Sequence, residues 1–169
     1  MGKNIAIIIL SVVLILSLAG NLLMGIGFAA MTAAMGTMAT TAFTSTLTHM
    51  TVVENVPAQA STNAPFTIEF EVTNHDSAPQ ILHAIDLNAS LLNGITVTNI
   101  SPSPTQTLDQ RSGGFGPIKY IFNHAIPPGQ TQTFAFECTG TQPGFWTDTV
   151  TVYDATLASE TLFVTLHVQ

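Results

Sequence analysis

The sequence predicts an all-β fold, a two-layered antiparallel β-sandwich, preceded by one long N-terminal transmembrane α-helix. Three observations carry this. The first 43 residues are almost uncharged, apolar residues alternate with a period of two through the rest, and turn-forming residues recur between the alternating runs. The chain has 169 residues, enough for one well-buried domain and a separate appendage.

The charge distribution marks the division. All ten carboxylates lie at or beyond Glu54, whereas Lys3 is the only Lys, Arg, Asp or Glu among the first fifty residues. The basic residues, Lys3, Arg111 and Lys119, are too few and too scattered to neutralise a phosphate backbone, which excludes nucleic acid as a partner. Cys138 is the sole cysteine, so no internal disulfide forms, and burial as a small hydrophobe is its expected state.

Residues 5–23, IAIIILSVVLILSLAGNLL, match the roughly 20 apolar residues that cross a bilayer core. Lys3 in front of them places the N-terminus inside and the remainder outside the cytoplasmic membrane. Small-residue sites of the cleavage type occur at Ser17-Leu-Ala-Gly20 and Gly27-Phe-Ala-Ala30. The apolar run continues past both, which favours a retained anchor. Residues 5–43 contain no proline, and a continuous helix there would be about 58 Å long, nearly twice the hydrocarbon thickness. Its second half must therefore leave the lipid or pack against another helix. Gly25, Ala29, Ala33, Thr37 and Thr41 recur every fourth residue, a small-residue stripe suited to helix packing and to homo-oligomer formation. A frayed, Thr-rich stalk is the alternative, because Gly and Thr are mediocre helix formers. The expected organisation is a helix over 1–43, a linker over 44–50 and a sandwich over 51–169.

In FTIEFEVTN, Phe66, Ile68, Phe70 and Val72 share one face while Glu69 and Glu71 share the other with threonines. That is a half-buried antiparallel strand. Phe134, Phe136 and Cys138 repeat the pattern in TFAFEC, as do Trp146, Val150 and Val152 in WTDTVTV. A last row of Leu162, Val164, Leu166 and Val168 faces inward, which puts His167 outside. The turn signals are Ser77-Ala-Pro79, Asn93-Gly94, Ser101-Pro-Ser-Pro104, Ser112-Gly-Gly114, Pro127-Pro-Gly129 and Pro143-Gly144. They divide the domain into about eight short strands, with no helix expected after residue 50 and no internal repeat.

These stretches carry a resemblance. Val72-Thr-Asn74 at a strand end, Asn93-Gly-Ile-Thr-Val-Thr98, the turn Pro128-Gly-Gln-Thr131 and the pair opened by Pro143-Gly-Phe-Trp146 resemble the immunoglobulin-like conserved-repeat and adhesion-type domains of prokaryotic surface proteins. The likeness spans roughly residues 65–154. It implies an Ig-like sandwich with a spacing, adhesive or assembly role and no catalytic residues. The long apolar helix ahead of a sandwich also resembles archaeal type IV pilins and archaellins, which implies a filament subunit with its helix in the filament core.

A weaker resemblance, to cupredoxins, rests on His83 after an Asn-rich strand end and Cys138 in a late F-x-C strand. A blue-copper centre needs a second histidine and usually an axial methionine just after the cysteine. Residues 139–146 here are TGTQPGFW, so half of the ligand set is missing, and no cofactor is expected. His83 has strand parity with Ile81, Ile85 and Leu87, and reads as a hydrogen-bonded residue on the inner face. His124 shares parity with Tyr120 and Phe122, while His49 and His75 read as surface or boundary positions. No nucleophile elbow, zinc helix, phosphate loop or dinucleotide motif occurs, so no enzyme is expected. Asn88-Ala-Ser90 and Asn99-Ile-Ser101 fit the N-glycosylation pattern. The expected function is a membrane-anchored extracytoplasmic structural or interaction module, accessory to an envelope or membrane complex. Its expected partners are the lipid bilayer and other envelope proteins.

Overall fold

The computed structural model describes residues 47–169, and the expectations for the N-terminal helix, including Gly25, Ala29, Ala33 and Thr37, lie outside the described residues. Within them run β1 (Met50–Asn55), β2 (Gln59–Ala60), β3 (Pro65–Asn74), β4 (Gln80–Asn88), α1 (Ala89–Gly94), β5 (Ile95–Ser101), β6 (Gln106–Asp109), β7 (Pro117–Ile126), β8 (Thr131–Gly140), β9 (Gly144–Asp154) and β10 (Ser159–Val168). Two sheets form, one ordered β1-β3-β8-β5 and the other β2-β10-β9-β4-β7-β6. The first has the A-B-E-D order of an immunoglobulin-type sandwich, and β10-β9-β4 has its G-F-C order. The β6–β7 hairpin, inserted before β8, widens the second sheet beyond β4.

The alternating rows meet as the core. Ile68, Phe70, Val72, Phe134, Phe136 and Cys138 from one sheet are buried against Ile85, Leu87, Tyr120, Phe122, Val150, Val152 and the β10 row from the other. Phe136 joins the layers. Its ring stands edge-on to Phe70 at 5.7 Å, to Tyr120 at 5.3 Å and to Phe122 at 6.4 Å. Edge-to-face packing of this kind suits the ring quadrupoles and adds to the burial of apolar area.

The structure corrects the sequence reading in three places. The described residues form ten strands where about eight were expected, because β2 and β6 are too short for alternation to be visible in the sequence. A helix does occur after residue 50: Ala89-Ser-Leu-Leu-Asn-Gly94 makes about one and a half turns, too few to show a 3.6-residue period, so the following strand starts at Ile95. Leu91 of α1 is fully buried. The third correction concerns His83. The register of β4 against both β7 and β9 shifts between Leu82 and Ala84, a β-bulge that reverses the parity. Leu82 is therefore fully buried, Ile81 is 40% exposed and His83 is only half-buried. At the N-terminal end, Leu47 and Met50 are already buried.

Candidate interaction surface

His83 and Cys138 are not brought together. Cys138 belongs to β8 and points into the core with its Sγ 3.4 Å from the Phe136 carbonyl oxygen; burial pushes its thiol up to about 12. His83 belongs to β4 in the other sheet, where Nδ1 lies 2.7 Å from Oδ1 of Asn123, a residue with φ of 49° opposite the bulge. Stacked sheets lie about 10 Å apart, so the two residues are not neighbours in a ligand set. Among the described residues no group of three His, Cys, Asp or Glu is placed to hold a metal ion.

The other histidines sit near their sequence assignments. His124 packs edge-on against the buried Phe134 ring at 5.7 Å. His49 Nδ1 is 3.4 Å from Asp76 Oδ2, and His75 Nε2 is 2.8 Å from Thr51 Oγ1. The Ser77 backbone N–H, ahead of His49, holds the Asp76 carboxyl below its ordinary range. Of the two glycosylation-type asparagines, Asn99 is exposed on β5, whereas Asn88 is half-buried and donates Nδ2 to Thr149 Oγ1 at 2.6 Å.

The outer face of β9 and β10 is built from the residues that alternate away from the core. Paired across the strands are Phe145 with His167, Thr147 with Thr165, Thr149 with Phe163 and Thr151 with Thr161. The Phe145 and His167 rings stack at 4.1 Å and 7°. Thr147 and Thr165 hydroxyls lie 3.0 Å apart. Phe145 is 75% exposed and Phe163 53%. The outward position of His167 agrees with the sequence reading. The aromatic neighbours were missed there, although the same alternation puts Phe163 on the side of Thr161 and Thr165.

Further along this sheet lies a charged group that sequence reasoning also missed. Lys119 Nζ is 3.2 Å from Asp86 Oδ2 and 3.9 Å from the centre of the Tyr153 ring. Asp86 Oδ1 is buried without a hydrogen bond. Burial raises the Asp86 carboxyl above its ordinary range, opposed by Lys119 and by Tyr153. The one carboxylate in HAIDLNA was the available signal, since a charge inside an apolar strand needs a partner. On the opposite sheet, Glu71 and Glu137 are exposed and Glu69 is half-buried, accepting from Asn55 Nδ2 at 3.2 Å.

No family model matches the chain, and no curated protein matches it in sequence. Among solved structures it is similar to a cohesin module from a family 33 glycoside hydrolase of Clostridium perfringens, at 8% identity and a TM-score of 0.46 over 72% of this chain and 97% of that one. It is similar to the CARDB domain of the PF1109 protein from Pyrococcus furiosus, in complex with di-metal ions, at 14% identity and a TM-score of 0.45 over 71% and 87% of the two chains. A non-cellulosomal cohesin from Archaeoglobus fulgidus gives 16% identity and a TM-score of 0.44 over 72% and 91%. At these values the likenesses carry no inference about binding or activity.

Proposed function

We propose that this chain is a membrane-anchored module that displays one Ig-like sandwich on the outer side of a cytoplasmic membrane and docks there onto another envelope or membrane protein. The observation that carries the reading is the outer face of β9 and β10, where Phe145, 75% exposed, stacks on His167 beside the threonine pairs Thr147–Thr165 and Thr151–Thr161. Exposed aromatic area of this kind costs solubility and is used at protein contacts. The apolar residues 5–23 support the anchor. No catalytic residue is assigned.

The test is to follow the full chain, tagged at Gln169, in its source cells. The tag is expected in the membrane fraction, open to protease added outside intact cells, with a photocrosslinker at position 145 joining it to one specific membrane protein. A soluble cytosolic chain, or a residue-145 probe that crosslinks nothing in the membrane, would overturn the reading.

The every-fourth-residue stripe Gly25, Ala29, Ala33 and Thr37 favours a second reading, a pilin-like subunit whose helix packs in a filament core. The mature N-terminus separates the two. Cleavage beside Gly2 or Lys3 supports the filament, and an intact Met1 supports the anchor.

A further inference from the structure

Where the tip of the β6–β7 hairpin meets α1 and the first half of β9, an open groove of about 420 Å³ is lined by Asn88, Ser90, Asn93, Gly114, Phe115 and Asp148 among others. We infer that this groove binds a neutral saccharide. The inference does not rest on the anchor proposed above.

The polar side chains are set for hydroxyl groups. Asp148 is oriented from its own side of the groove: Oδ1 accepts the Thr149 N–H at 2.8 Å and Oδ2 accepts the Ser90 N–H at 2.9 Å. Each carboxylate oxygen retains a lone pair for a further donor, so neighbouring hydroxyls meet two fixed acceptors. Asn88 is pinned through Nδ2 to Thr149, which leaves its Oδ1 as an acceptor. Ser90 Oγ donates to the Thr147 carbonyl at 3.3 Å and keeps its own lone pairs. The exposed Asn93 side chain makes no hydrogen bond among the described residues, so it offers a donor pair and an acceptor. A polyhydroxylated ligand matches this mixture of donors and acceptors better than an ion or an apolar ligand does.

An aromatic ring completes the site. Phe115 is 80% exposed, at the end of a turn closed by reciprocal backbone bonds between Ser112 and Phe115 of 2.8 and 3.1 Å. Gly113 and Gly114, at φ of 61° and 85°, allow that turn. The ring offers an apolar plate for the C–H face of a pyranose, while the amides and the carboxylate take its rim. Charge sets the class. Asp148 is the ionisable group in the lining, and Arg111 nearby in sequence is engaged by Asp109, with Nε and Nη2 at 2.9 and 2.6 Å from its oxygens. Anionic sugars would meet a carboxylate with no counter-charge.

The experiment uses the full chain in a sugar-free detergent, titrated calorimetrically with cello-, laminari-, malto-, manno- and N-acetylchito-tetraose, and separately with the acidic tetragalacturonate. At least one is expected to bind with a Kd below about 1 mM, independently of salt. Phe115→Ala and Asn93→Ala should each weaken it at least about tenfold without lowering Tm, since neither side chain has a packing or hydrogen-bonding role in the described structure. Absence of binding across the panel, or binding that survives both substitutions, overturns the assignment. Preference for an acidic oligosaccharide over all five overturns the neutral class.

Discussion

At the scale of single residues, Asn74 holds more of the molecule than any sequence feature indicated. It is fully buried, donates Nδ2 to the carbonyls of Ala78 and Ile126 at 2.9 Å each, and accepts the Asp76 N–H on Oδ1 at 2.8 Å. Its backbone N–H and C=O pair with Gln130 and Gly129, both at 3.0 Å. One side chain thus ties the β3–β4 link to the β7–β8 turn, joining Val-Thr-Asn to Pro-Gly-Gln-Thr, two motif pieces that the sequence presents separately. Asn74→Ala removes all three of these side-chain hydrogen bonds, the one to Ile126 buried, and should cost about 2–3 kcal/mol, read from urea unfolding. Asp86 makes a different prediction. Its native carboxyl is raised, so the folded state holds the proton more tightly than the unfolded chain, whose value is about 4. Stability therefore falls as pH rises from about 4 through the raised native value, and the loss is complete above it. Asp86→Asn removes that slope, so its stability relative to the native sequence should increase with pH across this interval; denaturation series at stepped pH would read it, and a pH-independent difference would refute it.

At the scale of elements, α1 and the β9–β10 turn were the least legible features, whereas signals such as Ser77-Ala-Pro79, Ser112-Gly-Gly114 and Pro127-Pro-Gly129 do fall between strands. Gly94, at the end of α1, lies under the Trp146 indole: a Cβ there would come within 2.3 Å of the ring. Trp146 is itself fixed by its Nε1–H to the Gln142 carbonyl at 2.9 Å, so it has little freedom to withdraw. Gly94→Ala should destabilise by about 1–3 kcal/mol, the usual cost of overpacking, measurable as a drop in Tm with a shift in the indole fluorescence. The β9–β10 turn shows why turn residues alone were an incomplete guide. It contains neither Gly nor Pro. Asp154 Oδ1 instead accepts the Thr156 N–H at 2.8 Å, the Thr156 hydroxyl at 2.7 Å and the Ala158 N–H at 3.0 Å, which supports Leu157 at a φ of 66°.

At the scale of the whole sandwich, the two sheets share one core and should not melt separately. Phe136, from the four-stranded sheet, touches Tyr120 and Phe122 of the six-stranded one. Phe136→Ala should cost about 3–5 kcal/mol. The far-ultraviolet signal of the strands and the near-ultraviolet signal of Trp146 should shift together, as a single cooperative transition requires. Separate transitions would mean that the layers are stabilised independently.

The rows of Phe, Ile, Val and Leu at every second position were enough to predict an all-β body and to assign the inner faces of β3, β8 and β10, because in an extended chain neighbouring side chains point to opposite sides whatever lies beyond. The same rule failed at His83. An extra residue in a strand is defined only against its partners, and the displacement of β4 relative to β7 and β9 depends on strands far away in sequence. The groove of Asn88, Asn93, Phe115 and Asp148 is non-local in the same way, because the sheet order brings the end of β4 and α1 together with the β6–β7 turn and β9. Side-chain alternation is a property of the local backbone and was therefore written in the sequence, whereas register, bulges and the meeting of loops arise from long-range pairing and were decided by the tertiary structure.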